Sequence, residues 1–98
     1  MFYSKIYLLL KAEECERRVG WQYIPEGDQY GVLTATDAND CHRECKYDKQ
    51  CKFWTFATKE SYDNKGKFGI YRANSCWLLR NQGTIDKNDD MISGSKEC

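Results

Sequence analysis

Residues 37–56 read Asp37-Ala38-Asn39-Asp40-Cys41-His42-Arg43-Glu44-Cys45-Lys46-Tyr47-Asp48-Lys49-Gln50-Cys51-Lys52-Phe53-Trp54-Thr55-Phe56. The first part carries the marks of a helix over 37–48. Thr36 precedes it as an N-cap whose hydroxyl accepts a first-turn N–H. Asp37 and Asp40 suit the positive end of the helix dipole, and Lys46 and Lys49 suit the negative end. Over 51–58, aromatic and β-branched residues take over, which predicts a strand. Cys41 and Cys45 fall one turn apart on one helix face. Their Cβ atoms would be about 5–6 Å apart, beyond the ~3.5–4.5 Å of a disulfide. Each must bond outside the helix. Cys51 opens the next strand and Cys76 a later one, so two bridges from one face would clamp the helix onto a sheet.

Working outward, residues 19–24 and 30–34 are strand-like, with Pro25-Glu26-Gly27-Asp28 as a turn between them. Residues 60–75 are polar, with Asn64, Gly66, Gly69 and Asn74, and read as a long loop or irregular hairpin. Residues 76–80 form a short apolar strand, 81–90 a polar loop, and 91–98 a last strand. Cys15 and Cys98 remain, and pairing them would tie the ends together. Six cysteines allow fifteen connectivities; the helix geometry removes only Cys41 with Cys45.

The chain has 98 residues, six of them cysteine, a density that belongs to small disulfide-stapled domains of oxidising compartments. Zinc is the weaker reading. Cys-x3-Cys-x5-Cys lacks zinc-knuckle spacing, and the one histidine, His42, adjoins a cysteine. Fifteen basic and fifteen acidic residues give zero net charge, which excludes a nucleic-acid binder driven by bulk charge. The balance hides a basic block. Residues 1–40 carry −3, 41–80 carry +5 and 81–98 carry −2. No apolar run approaches the ~20 residues of a membrane helix. The apolar stretch Ile6–Leu10 gives way to Lys11-Ala12-Glu13-Glu14, too short for a secretory h-region. Residues 1–14 therefore read as a linker or expression extension, with an added edge strand as the alternative, and 15–98 as the module.

The order of these parts is specific. A helix with Cys-x3-Cys, the run Cys51-x-Phe53-Trp54-Thr55-Phe56, then Cys76-Trp77-Leu78-Leu79, and a closing Ser93-Gly94-Ser95-x-x-Cys98 resemble the PAN/apple domain over 15–98. The resemblance implies an α+β fold, a curved antiparallel sheet cradling one helix. It also implies the apple-type pairing Cys15–Cys98, Cys41–Cys76 and Cys45–Cys51. Such modules occur in coagulation-type plasma proteases, in growth-factor N-terminal domains and in microneme-type surface adhesins of apicomplexan parasites. They bind proteins or carbohydrates and carry no catalysis of their own. Residues 60–75 are longer and more basic here than is usual in the family.

The resemblance thus implies a secreted or surface recognition module without a cofactor. Its partner would be a protein receptor or a cell-surface glycan, galactose-type or sulfated, with neighbouring modules in a longer chain. A spacer with no ligand is the alternative. Two candidate surfaces follow from the residues. Strand alternation counted from Cys51 and Cys76 puts Trp54, Phe56, Trp77 and Leu79 together on the face away from the helix, as a second small core or an exposed aromatic patch. Arg43, Lys46, Lys49, Lys52, Lys65, Lys67 and Arg72 offer a basic surface for a sulfated glycan or an acidic protein, tested by salt-sensitive retention on heparin. No nucleophile–base pair is apparent, His42 is expected on the exposed helix side, and no Asn-x-Ser/Thr sequon occurs.

Overall fold

A computed structural model describes residues 17–27, 30–62 and 70–97. Seven strands and one helix appear among them: β1 (Arg18–Ile24), β2 (Gly31–Thr34), α1 (Ala38–Tyr47), β3 (Phe53–Ala57), β4 (Ser61–Tyr62), β5 (Ile70–Tyr71), β6 (Ser75–Leu79) and β7 (Thr84–Ser95). Five strands form one antiparallel sheet in the order β1-β7-β3-β6-β2, and β4 pairs with β5 beside it. The fold is α+β, one helix on an antiparallel sheet.

The helix starts one residue later than expected, because Asp37 rather than Thr36 is the N-cap. The Asp37 carboxylate accepts from the Asp40 backbone N–H at 2.8 Å, and Asp40 in turn accepts from the Thr36 N–H at 2.9 Å. A carboxylate outcompetes the hydroxyl here, being the stronger acceptor and adding charge at the positive helix end. At the other end the Asp48 backbone N–H returns to the Cys45 carbonyl, and the Lys96 ammonium donates to the Asp48 carbonyl at 2.7 Å.

Two bridges fasten α1 to the sheet. Cys41 is bonded to Cys76 and Cys45 to Cys51. Both come from the buried helix face, which also carries Ala38 and His42. Cys15 and Cys98 lie outside the described residues, as does any bridge between them.

The largest difference from the sequence expectation is in the sheet faces. Trp54 and Phe56 face the helix, with Cys76 and Leu78, while Trp77 and Leu79 join Tyr23, Ala57, Tyr71 and Met91 on the other face. The pairs Trp54↔Leu78 and Phe56↔Cys76 fix this side. Counting from Cys51 fails because Cys51 and Lys52 precede the strand. A turn over residues 48–51 ends in a bend at Lys52, with the Cys51 N–H held by Asp48 and the Lys52 N–H by the Leu79 carbonyl. That turn resets the two-residue alternation before Phe53. There is thus no single Trp54/Phe56/Trp77/Leu79 patch. Trp54 is 0 % exposed and Trp77 is 3 % exposed. Each core face holds one of them.

The helix-side core closes tightly on Trp54. A Cβ at Gly94 would lie 2.7 Å from its ring, so β7 passes the indole only because residue 94 has no side chain. The indole N–H donates to the Ser95 carbonyl at 3.2 Å. On the far face, Tyr71 meets Trp77 edge-on at 5.7 Å, so part of the 60–75 segment covers that core.

Residues 84–90 are strand, not loop. Their Asp, Lys and Asn side chains have low β-propensity, but the backbone pairs with β1 from Trp21↔Lys87 to Ile24↔Thr84. The ribbon is interrupted once. Val19 pairs with Ile92 and Trp21 with Lys87, so residues 88–91 bulge opposite Gly20, whose φ is +85°.

A candidate recognition surface at the helix exit

The chain leaves α1 through a knot of hydrogen bonds centred on Asp48. One carboxylate oxygen accepts from the Gln50 N–H at 2.8 Å, the Cys51 N–H at 3.2 Å and the Tyr30 hydroxyl at 3.0 Å. The Gln50 N–H above all, with the Tyr30 hydroxyl, holds this carboxyl below the usual range. Burial, with the hydrogen bond to Asp48, raises the Tyr30 phenol well above its ordinary value, so it stays neutral. The short Cys45–Cys51 bridge closes the same turn.

Arg80, which follows β6, completes the arrangement. Its guanidinium lies 4.7 Å from the Tyr30 ring centroid and donates to the Gln50 side-chain carbonyl at 2.6 and 3.0 Å. Arg80 and Gln50 are both exposed. The result is a fixed edge of guanidinium and amide beside a phenol ring, the kind of planar donor–acceptor surface that matches paired oxygens.

The structure brings only part of the predicted basic block here. Lys49 flanks Gln50, and Lys52 is fixed beside Leu79, one residue from Arg80. Lys46 projects from the last turn of α1. Lys96 joins through its bond to Asp48. Arg43 instead forms an ion pair with Asp40 at 2.8 Å, which cancels much of its charge. Arg72 sits by the Ser75 end of β6, opposite the Leu79 end that leads to Arg80. Lys65 and Lys67 lie outside the described residues. Sequence reasoning missed Tyr30, Gln50, Arg80 and Lys96, which are scattered along the chain and gathered only by the sheet order.

His42 is not on an exposed side. It is 8 % exposed, its ring stacks on Trp54 at 5.5 Å, and its Nε2 lies 3.1 Å from the Lys96 carbonyl. That contact requires the hydrogen on Nε2, because a carbonyl only accepts. Burial first, then the positive charges of Lys46 and Arg17, lower its pKa below the ordinary 6.5. A histidine with a lowered folded pKa stabilises the fold above 6.5, where it is neutral in both states. Stability then falls as the unfolded chain gains its proton first, down to the lower folded value. We expect the melting temperature to drop between pH 7 and pH 5, and a His42→Gln variant to lose that part of the drop. Parallel melting curves across this range would contradict the assignment.

Among the described residues no group of three or more His, Cys, Asp and Glu side chains gathers as a metal site, and no helix is long and apolar enough to cross a membrane.

One helix, stapled by two disulfides to an antiparallel sheet, defines a small disulfide-linked α+β module. A family model described as PAN domain matches residues 25–79, and the chain belongs to that family. Among solved structures it is similar to the A5 domain of Toxoplasma TgMIC4 in a complex with lacto-N-biose. The two share 18 % identity at a TM-score of 0.62, over 86 % of this chain and 100 % of that one. It is also similar to a PAN module from Eimeria tenella, at 20 % identity and a TM-score of 0.53, over 84 % of this chain and 79 % of that one. A search of curated proteins returns no match.

Proposed function

We propose that this PAN module binds carbohydrate on a cell surface, as the adhesive part of a secreted or surface protein. The observation that carries the reading is the helix-exit edge: Arg80 hydrogen-bonded through two N–H groups to the Gln50 side-chain carbonyl and lying against the Tyr30 ring. Vicinal hydroxyls or a sulfate present the paired oxygens that a guanidinium and an amide engage together. Because these groups are already fixed by hydrogen bonds and a disulfide, little conformational freedom is lost on binding. The likeness to the TgMIC4 domain, which is complexed with lacto-N-biose, supports the reading. PAN modules are binding units, and the two disulfides support a reading of this one as a protein of an oxidising compartment.

The test is a glycan array spanning neutral and sulfated sugars, read with wild type and with Arg80→Ala at low and physiological salt. Wild type should bind a defined subset, and Arg80→Ala should weaken it about tenfold, the worth of one charge-assisted bond. Binding that collapses with salt identifies the basic residues as the main contacts. A wild-type protein that binds no sugar overturns the reading.

A further inference from the structure

The three tryptophans have unlike fates. Trp54 and Trp77 are enclosed in the two core faces, whereas Trp21 on β1 is 38 % exposed. Trp21 pairs directly with Lys87 across the β1–β7 ribbon, two residues beyond the Tyr23↔Ile85 pair that joins the far-face core. The sheet therefore continues past its core as an open ledge, with the indole as its floor.

Two charged groups stand over that ledge. The Lys87 ammonium lies 5.4 Å from the Trp21 ring centroid, and it pairs with the Asp89 carboxylate at 2.9 Å. Both side chains are largely in solvent, at 60 % and 85 % exposure. The backbone is shaped to allow this. Gly20 adopts φ +85° at the bulge, and a Cβ there would meet the Lys87 ammonium at 2.8 Å and the Asp89 carboxylate at 3.6 Å. Bulges commonly re-aim side chains at binding sites, and this one puts a donor and an acceptor beside a partly exposed ring.

The geometry points to a second binding site, a stacking ledge for a neutral hexopyranoside, in which Trp21 carries the sugar's C–H face and Lys87 and Asp89 bond its hydroxyls. An aromatic face suits a flat apolar surface with polarised C–H groups. The ion pair carries no net charge, so it favours neutral hydroxyls, which take up an ammonium donor and a carboxylate acceptor together. An exposed pair of this kind is weak, so exchanging part of it for a ligand costs little. The site is separate from the helix exit and differs from it in ligand charge. Its inference rests on the reading of this module as a sugar binder.

Each tryptophan gives one indole N–H cross-peak in a 1H–15N spectrum, so the site can be read directly. Methyl β-galactopyranoside and methyl β-glucopyranoside are titrated into the full chain. The Trp21 cross-peak should move and saturate at about 1–10 mM, as expected of one ring on an open ledge, while those of Trp54 and Trp77 stay in place. Trp21→Ala should abolish the remaining backbone shifts on β1 and β7. Asp89→Ala, which alters only an exposed side chain, should weaken binding about threefold or more. A Trp21 cross-peak unmoved by either sugar overturns the ledge. If the array above is positive in that case, the ledge alone fails; if it is negative too, both readings fail.

Discussion

Replacing Trp54 with alanine should destabilise the module by about 3–5 kcal/mol, the cost of emptying a closed aromatic site. Trp54 is fully buried, stacked by His42, in contact range of Gly94 and hydrogen-bonded to Ser95. It therefore joins the helix, β3 and the end of β7 in one core. Domains of this size hold about 5–15 kcal/mol in total, so the loss removes a large share and lowers the melting temperature by more than ~12 °C. Guanidinium denaturation of Trp54→Ala against Trp21→Ala checks it. Trp21, 38 % exposed, buries less of its side chain and should lose clearly less stability than Trp54. Equal effects at the two positions would mean that Trp54 is not the centre of the helix-side core.

The second large effect concerns the bridges. Cys41–Cys76 closes a separation of 35 residues and Cys45–Cys51 one of 6. The chain-entropy model gives about 4 kcal/mol for the longer and about 2 kcal/mol for the shorter. All four cysteines are fully buried, so each pair is best replaced by alanine, which leaves no buried hydroxyl unsatisfied. The Cys41→Ala/Cys76→Ala variant should lose about twice as much stability as Cys45→Ala/Cys51→Ala. The shorter bridge should matter for binding instead, because it closes the turn that presents Gln50. A larger stability loss from the shorter bridge would contradict this division.

The sequence disclosed the helix because capping chemistry and spacing are local. It disclosed that Cys41 and Cys45 need separate partners because helix geometry is rigid. The pairing itself came from the family resemblance, and the described bridges agree with it. The side of the sheet taken by Trp54 and Phe56 was not legible. It depends on the turn over residues 48–51 and the bend at Lys52, where alternation lapses without a composition signal. The strand over residues 84–90 was hidden for a related reason. Its side chains favour loop, and its pairing with β1 is a contact between distant parts of the chain. The same holds for the candidate surfaces. Arg43 was visible as a charge, but its partner Asp40 removes much of its use. Tyr30, Gln50 and Arg80 meet only through the β2–β6 pairing and the turn after α1. Trp21 reads as any strand aromatic, and its partial exposure depends on how β1 pairs with β7.

If the module attaches to carbohydrate, destroying the sugars of a cell surface must release it. The most direct test is binding of the oxidised, fluorescently labelled protein to cultured cells before and after mild periodate oxidation, which opens sugar rings at vicinal hydroxyls and leaves polypeptide largely intact. Treated cells should lose at least about nine-tenths of the bound protein, a tenfold change equivalent to about 1.4 kcal/mol. Undiminished binding to treated cells would contradict it and identify a protein surface as the partner.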